Sequence, residues 1–189
     1  MTQDQIREFI RGGNWESITT ELRPSITKNS AGDITPFYLT RQFQYFGEDV
    51  FACSVINYAD PVGKAPLARI GIKGHLVWQG EHPLVEGAYK VDYVADIAYE
   101  LTPLHDNFAG VLNKIAATGF DRWEINVSQS VKGKSFPAFG LYEGQIYVDY
   151  DLIYIYKDML FNGSKNVDGR PFDKPANRPT NLQLPLVRK

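Results

Sequence analysis

The chain has 189 residues, with 22 Asp plus Glu against 20 Lys plus Arg and a net charge of −2. That length suits one domain of large β type, and so balanced a charge gives no ground for a nucleic-acid partner or an anionic membrane surface. Hydrophobic residues make up 43% and aromatic residues 13%, which excludes a disordered chain and provides for a packed core with a lined cavity.

Gln3–Ile10 carries Ile6, Phe9 and Ile10 at spacings of three and four, so a short N-terminal helix is expected, stopped by Gly12 and Gly13. This amphipathic start (TQDQIREFIRG) differs from the basic and then apolar run of a secretory leader, and no window reaches roughly 18 apolar residues, so neither a leader nor membrane insertion is expected. From Trp15 the period becomes two: Trp15, Ser17, Thr19, Glu21 and Arg23 share one face, with Ile18, Thr20 and Leu22 on the other. A strand over Phe37–Phe46 aligns Phe37, Leu39, Arg41, Phe43 and Tyr45. Gly47–Asp49 turns it, and Phe51–Tyr58 returns. Cys53, the one cysteine, has no internal partner and reads as a buried hydrophobe, which places the chain in the cytoplasm.

Leu67–Gln79 is a long strand with Ala68, Ile70, Ile72, Leu76 and Trp78 on one side; Gly71 and Gly74 mark bends or close backbone approach. Val85–Leu101 is the next strand. A helix is expected over Leu104–Ala117, where Phe108, Val111, Leu112 and Ile115 are helically spaced behind Pro103. Trp123–Val131 and Gln145–Tyr156 complete a count of about seven or eight strands, the number of a sandwich or barrel. Residues 164–189 hold Pro171, Pro175, Pro179 and Pro185 among apolar anchors such as Phe172 and Leu186, so this end is expected to lie extended across the barrel. The whole chain, 1–189, is thus one mainly β, antiparallel domain.

Three separated stretches carry a family resemblance. The first contributes Trp15, Ser17, Glu21, Arg23 and Pro24; the second Leu39, Thr40 and Arg41, then Tyr58, Asp60 and Pro61. The third contributes Leu160–Gly163, Arg178–Thr180, Gln183 and Pro185–Val187. In this order they resemble the APCDD domain, named for adenomatosis polyposis coli down-regulated proteins. The resemblance implies a lipocalin/calycin-like β-barrel whose cavity accepts lipid. Animal members are secreted, membrane-anchored, tandem-domain Wnt antagonists with cysteines where this chain has Thr20 and Gly63. The expectation is therefore a single-domain, cysteine-poor relative of bacterial type, without Wnt inhibition. Gly13-x-Trp15 also looks like the lipocalin opening signature, whose Trp packs under an Arg; Arg178 and Arg188 both qualify.

Glu21, Arg23 and Arg41 stand in aromatic or alternating rows where an unpaired charge costs several kcal/mol, so Arg41 needs either Glu21 or an anionic ligand group. The ligand-binding set expected for the cavity is Arg23, Arg41, Trp78, Tyr89, Tyr93, Trp123 and Tyr154, with Glu21 and Asp151 as acid–base candidates. Asp149 and Asp151 read as solvent-facing; turned inward, burial would raise them into the range of a general acid or base. His75 and His82 lack metal-ligand spacing, and there is no nucleophile elbow, phosphate loop or CxxC, so neither metal nor cofactor is expected. Two functions compete. One is a binding protein for a small hydrophobic or amphipathic molecule. The other is a small barrel enzyme, a cyclase or isomerase, that shapes a natural-product-like substrate with an acid and an Arg. Whether two copies pair as a homodimer is left open.

Overall fold

The structure, a computed structural model, describes residues 1–116, 118–137 and 140–189. It opens with helix α1 (Gln3–Ile10), where Thr2 Oγ1 accepts from the Gln5 amide while Gln5 Oε1 accepts from the Thr2 amide. This reciprocal cap satisfies two of the donors a helix start leaves free. Ile6 and Ile10, one turn apart, are buried.

Ten strands follow: β1 (Asn14–Ser17), β2 (Glu21–Lys28), β3 (Ile34–Tyr45), β4 (Val50–Tyr58), β5 (Pro66–Glu81), β6 (Tyr89–Pro103), β7 (Gln129–Ser130), β8 (Val148–Tyr156), β9 (Met159–Phe161) and β10 (Leu186–Arg188). Helix α2 (Asp106–Ile115) lies between β6 and β7. All pairings are antiparallel, in the order β1–β10–β9–β8–β6–β5–β4–β3, and β1 pairs back with β3. The sheet therefore closes into a ring, a barrel-like arrangement that abolishes free edges along this circuit. Closure is uneven: β5 and β6 run 16 and 15 residues, whereas β9 and β10 have 3 each. β2 continues along β3 beyond β1, so the two act as one strand broken at 18–20. Among the described residues, no helix is long and apolar enough to cross a membrane.

Two apolar clusters occupy the interior. The first gathers Ile6, Ile10, Trp15, Phe51, Tyr89 and Leu186, so α1 closes one end. Trp15 Nε1 donates to the Ile10 carbonyl at 2.8 Å, tying helix to strand. Arg188 stacks over Trp15, 4.8 Å from its ring, and donates to the Phe9 carbonyl. Of the two arginines with a claim on this tryptophan, Arg188 takes the place. The second cluster joins Tyr99 and Leu101 of β6 to Leu112 of α2 and to Trp123, Val131 and Phe136.

Several expectations are corrected here. Val85–Ala88 is turn, and β6 starts at Tyr89. Helix α2 buries Ala109 and Leu112 and leaves Val111 and Ile115 exposed; Ala117, its expected end, lies outside the described residues. Trp123–Val131 is strand only at Gln129–Ser130. Asn113 accounts for this: its Oδ1 accepts from the Trp123 amide at 2.8 Å and its Nδ2 donates to the Trp123 carbonyl at 2.9 Å. Those bonds use the backbone groups a strand ladder would need. The C-terminal end is expected to lie extended across the barrel; its last part is instead wall, because β10 pairs with both β1 and β9.

β6 carries two extra residues opposite Gly74, since Lys73 pairs with Ala98 while His75 pairs with Val94. A Cβ at Gly74 would lie 1.8 Å from the Val94 carbonyl oxygen, whereas one at Gly71 meets nothing within 4 Å. Gly74→Ala should therefore destabilise the protein by about 1–3 kcal/mol or more through overpacking, while Gly71→Ala should be neutral or stabilise by about 0.5 kcal/mol. Urea unfolding of the two variants beside the parent checks the contrast.

Candidate functional site

Strand alternation decides which side chains enter the ring. On β3 it sends Leu39, Arg41, Phe43 and Tyr45 inward, and on β4 Phe51 and Cys53. Glu21 and Arg23 enter from β2. These charges arrive in an apolar interior and must find partners there. Glu21 Oε1 accepts from Arg41 Nε at 2.9 Å and from Ser17 Oγ at 2.8 Å. Its Oε2 accepts from Arg23 Nε at 3.1 Å and Arg23 Nη2 at 2.8 Å. Glu21 and both arginines are buried.

The network then crosses the barrel. Arg41 Nη1 donates to Asn162 Oδ1 at 2.9 Å, and Asn162 Nδ2 donates to the Tyr93 hydroxyl at 3.0 Å and to the Leu152 carbonyl at 3.3 Å. The Tyr93 and Tyr45 hydroxyls share a bond at 3.0 Å. Asn162 belongs to the segment after β9, which the next residue brings against the barrel. A Cβ at Gly163 would lie 1.9 Å from Pro179 Cγ and 2.5 Å from Asp151 Oδ1. Only glycine allows that approach, and the Gly163 amide donates to Asp151 Oδ1 at 2.8 Å. Arg178 fastens the same segment from outside, donating to the Val91 carbonyl at 2.8 Å and to Asp92 Oδ1 at 2.5 Å.

Beside this network the packing leaves a cavity of about 210 Å³. Leu39, Phe43, Phe51, Val55, Ile70 and Ile72 form its apolar wall. Arg23, Arg41, Asp149, Asp151 and Lys165 form its polar wall, and Phe172 with Gly163 brings in the C-terminal segment. Cys53 also faces the cavity, with its thiol pushed up to about 12 by burial, so it stays a neutral hydrophobe.

The carboxyl groups differ in their chemistry. Burial pushes Glu21 up, but the Arg41 and Arg23 guanidiniums outweigh it and hold the carboxyl below its usual range. Glu21 is thus a fixed anion and unsuited to exchanging protons. Burial, with Asp151 as a neighbouring negative charge, raises Asp149 to about 7. The Tyr147 hydroxyl donates to its Oδ1 at 3.5 Å. Burial also raises Asp151, although the Leu152 and Gly163 amides on its Oδ1 oppose this. Burial lowers Lys165. Two inward carboxyls so close on one strand disfavour each other's ionisation.

Of the residues expected at the cavity, Arg23, Arg41, Tyr93 and Asp151 line it, and Glu21 anchors the two arginines beside it. Four lie elsewhere. Trp78 Nε1 donates to Asp49 Oδ1 at 3.0 Å under the Arg7 guanidinium. Tyr89 packs in the cluster that α1 closes. Trp123 is buried beneath α2, donating from Nε1 to the Ala116 carbonyl at 2.9 Å. Tyr154 points outward onto Phe161, since its neighbours Ile153 and Ile155 fill the core. Asp149 and Asp151, expected to face solvent, face the cavity instead. Asn162, Lys165 and Phe172 were not singled out for the site by their pattern, and only the Asn162–Gly163 pair carries a local signal, that of a turn. His75 pairs with Asp96 at 2.8 Å, and His82 Nε2 lies 3.1 Å from the Pro179 carbonyl.

No protein-family model matches the chain.

Glu21→Gln leaves two guanidiniums buried without their anion and should cost about 3–5 kcal/mol. The parent's stability from this group is complete above its ordinary value of 4.5 and is lost as acid protonates the depressed carboxyl. Asp149 has the opposite sign. Folding favours its proton, so its contribution is complete below 3.8 and is lost as pH rises through about 7. Asp149→Asn should flatten the decline in stability across that interval, read by urea unfolding at a series of pH values.

Proposed function

We propose that this protein binds a small hydrophobic or amphipathic molecule inside its barrel. The observation that carries the reading is the cavity itself, which has an apolar wall facing a charged one. Ligand sites combine these features: apolar surface for affinity and a few placed polar groups for orientation. A cavity of 150 Å³ holds a benzene, so one of about 210 Å³ takes a molecule of roughly ten non-hydrogen atoms as it stands.

The same reading takes the chain as an APCDD-type, lipocalin-like barrel. Residues that carry that resemblance come from distant parts of the sequence and meet around one site. Ser17, Glu21, Arg23, Arg41 and Asn162 form the central network, and Gly163 packs against Pro179 at its edge. Arg188 over Trp15, at the end that α1 closes, matches the arrangement expected from Gly13-x-Trp15. A reduced, buried Cys53 suits a cytoplasmic location.

One observation favours a second reading, a barrel enzyme of the cyclase or isomerase kind. The Asp149 carboxyl, raised by burial to about 7, faces the cavity opposite its apolar wall, as acid–base chemistry near neutral pH requires. Within that reading Asp149 is the acid–base group, Asp151 its partner, and Glu21 is reassigned from that role to holding Arg41.

Native mass spectrometry of freshly purified protein tests the binding reading, together with titration of an apolar fluorescent dye. A stoichiometric apolar or amphipathic mass, or saturable dye binding displaced by hydrophobic compounds, is the expected result. Protein that carries no mass and takes up no dye would remove the basis for it.

A further inference from the structure

The cavity's polar wall is more specific than its apolar one. Arg23 is only 7% exposed and gives Nε and Nη2 to Glu21, yet its Nη1 has no hydrogen-bond partner among the described residues while the side chain lines the cavity. Lys165 also lines the cavity, with its ammonium 5.3 Å from the Phe172 ring centre and no ion-pair partner among the described residues. The two cations repel each other and act on the same Asp149 carboxyl. Arg41, by contrast, has its donors engaged by Glu21, Asn162 and the Leu184 carbonyl.

The distribution of charge points the same way. The wall and its anchor hold three cations, Arg23, Arg41 and Lys165, and three acids, Glu21, Asp149 and Asp151. Glu21 is consumed by two guanidiniums. Asp149 and Asp151 stand two positions apart on β8, and burial raises both carboxyls, which weakens them as counter-ions for the cations. Asp173 also acts on Lys165, and the donors left unused on this wall are those of Arg23 and Lys165. A buried guanidinium with a free N–H is stabilised by an anionic oxygen far more than by a neutral one.

We infer that the ligand is a small carboxylate-headed amphiphile, its carboxylate seated between Arg23 Nη1 and Lys165 Nζ and its tail against Leu39, Phe51, Val55 and Ile72. This rests on the binding reading above and narrows it to one chemical class. The free oxygens of Asp149 and Asp151 repel a second anion, so the class is monoanionic. A hydroxyl near the head would find an acceptor in that pair.

Calorimetric titration of the intact protein with octanoate, octanol and octylamine separates the possibilities. Octanoate should bind about tenfold or more tighter than octanol, and octylamine should be the weakest. Lys165→Met should bring octanoate to within a few-fold of octanol. Arg23→Met should do the same; because Arg23 also braces Glu21, its folding is checked by circular dichroism, and Lys165→Met decides the matter should it fail to fold. If octanol equals octanoate, or Lys165→Met leaves the preference intact, the carboxylate assignment is overturned and the binding reading survives. If none of the three binds and no dye enters, the binding reading itself falls.

Discussion

Everything in the barrel's interior is arranged around one carboxylate. Glu21 sits between Arg23 and Arg41, and without it two buried guanidiniums would lack their shared anion. The carboxylate comes from β2 and the second arginine from β3, so the pair also fixes how those strands register. Arg41 then passes the constraint on to Asn162, which binds Tyr93, which meets Tyr45. Five strands and the C-terminal segment are thereby referred to a single ion pair. A one-residue slip in β3 would turn Arg41 out and Thr40 or Gln42 in, leaving Glu21 with half its compensation.

That central network also explains why the interior is not filled by side chains. Flexible apolar residues close around any available space, because voids forfeit contacts. Here one wall includes charged groups whose heads are held by fixed partners: Arg41 by Glu21 and Asn162, and Asp151 by two backbone amides. They cannot swing inward without abandoning those bonds. The apolar wall is built from inward residues of β3, β4 and β5, whose positions the ladder sets. The cavity is what remains between a polar framework that cannot collapse and a sheet that cannot bend further.

Local rules made the α1 limits and the common face of Leu39, Arg41, Phe43 and Tyr45 legible in the sequence, and offered Glu21 as one of two partners for Arg41. Alternation failed to say which face was inside on β8, and the reason is physical. Asp149, Asp151 and Ile153 face the interior, while Leu152 on the opposite face is fully buried and Tyr150 lies under the Arg178 guanidinium. With both faces covered there is no polar-to-apolar contrast to read. Trp123 misled for another reason: a tertiary bond to Asn113 took its backbone out of the sheet. Asn162, Lys165 and Phe172 act from a segment with no period at all, placed by Gly163, Arg178 and the ring's closure. Such long-range placement leaves no local mark beyond an Asn-Gly turn.

The seam of the ring joins Trp15 to Arg188, two residues near opposite ends of the sequence. Pairing so distant in sequence demands that the intervening chain be ordered first, which makes the last step of assembly entropically slow. Until then β1 and β9 each present an open row of amides and carbonyls. A chain whose β10 is undocked thus offers both of these edges to a neighbour, which the closed ring does not. The stack of Arg188 on Trp15 acts as a latch on that step, because it stabilises only the closed form.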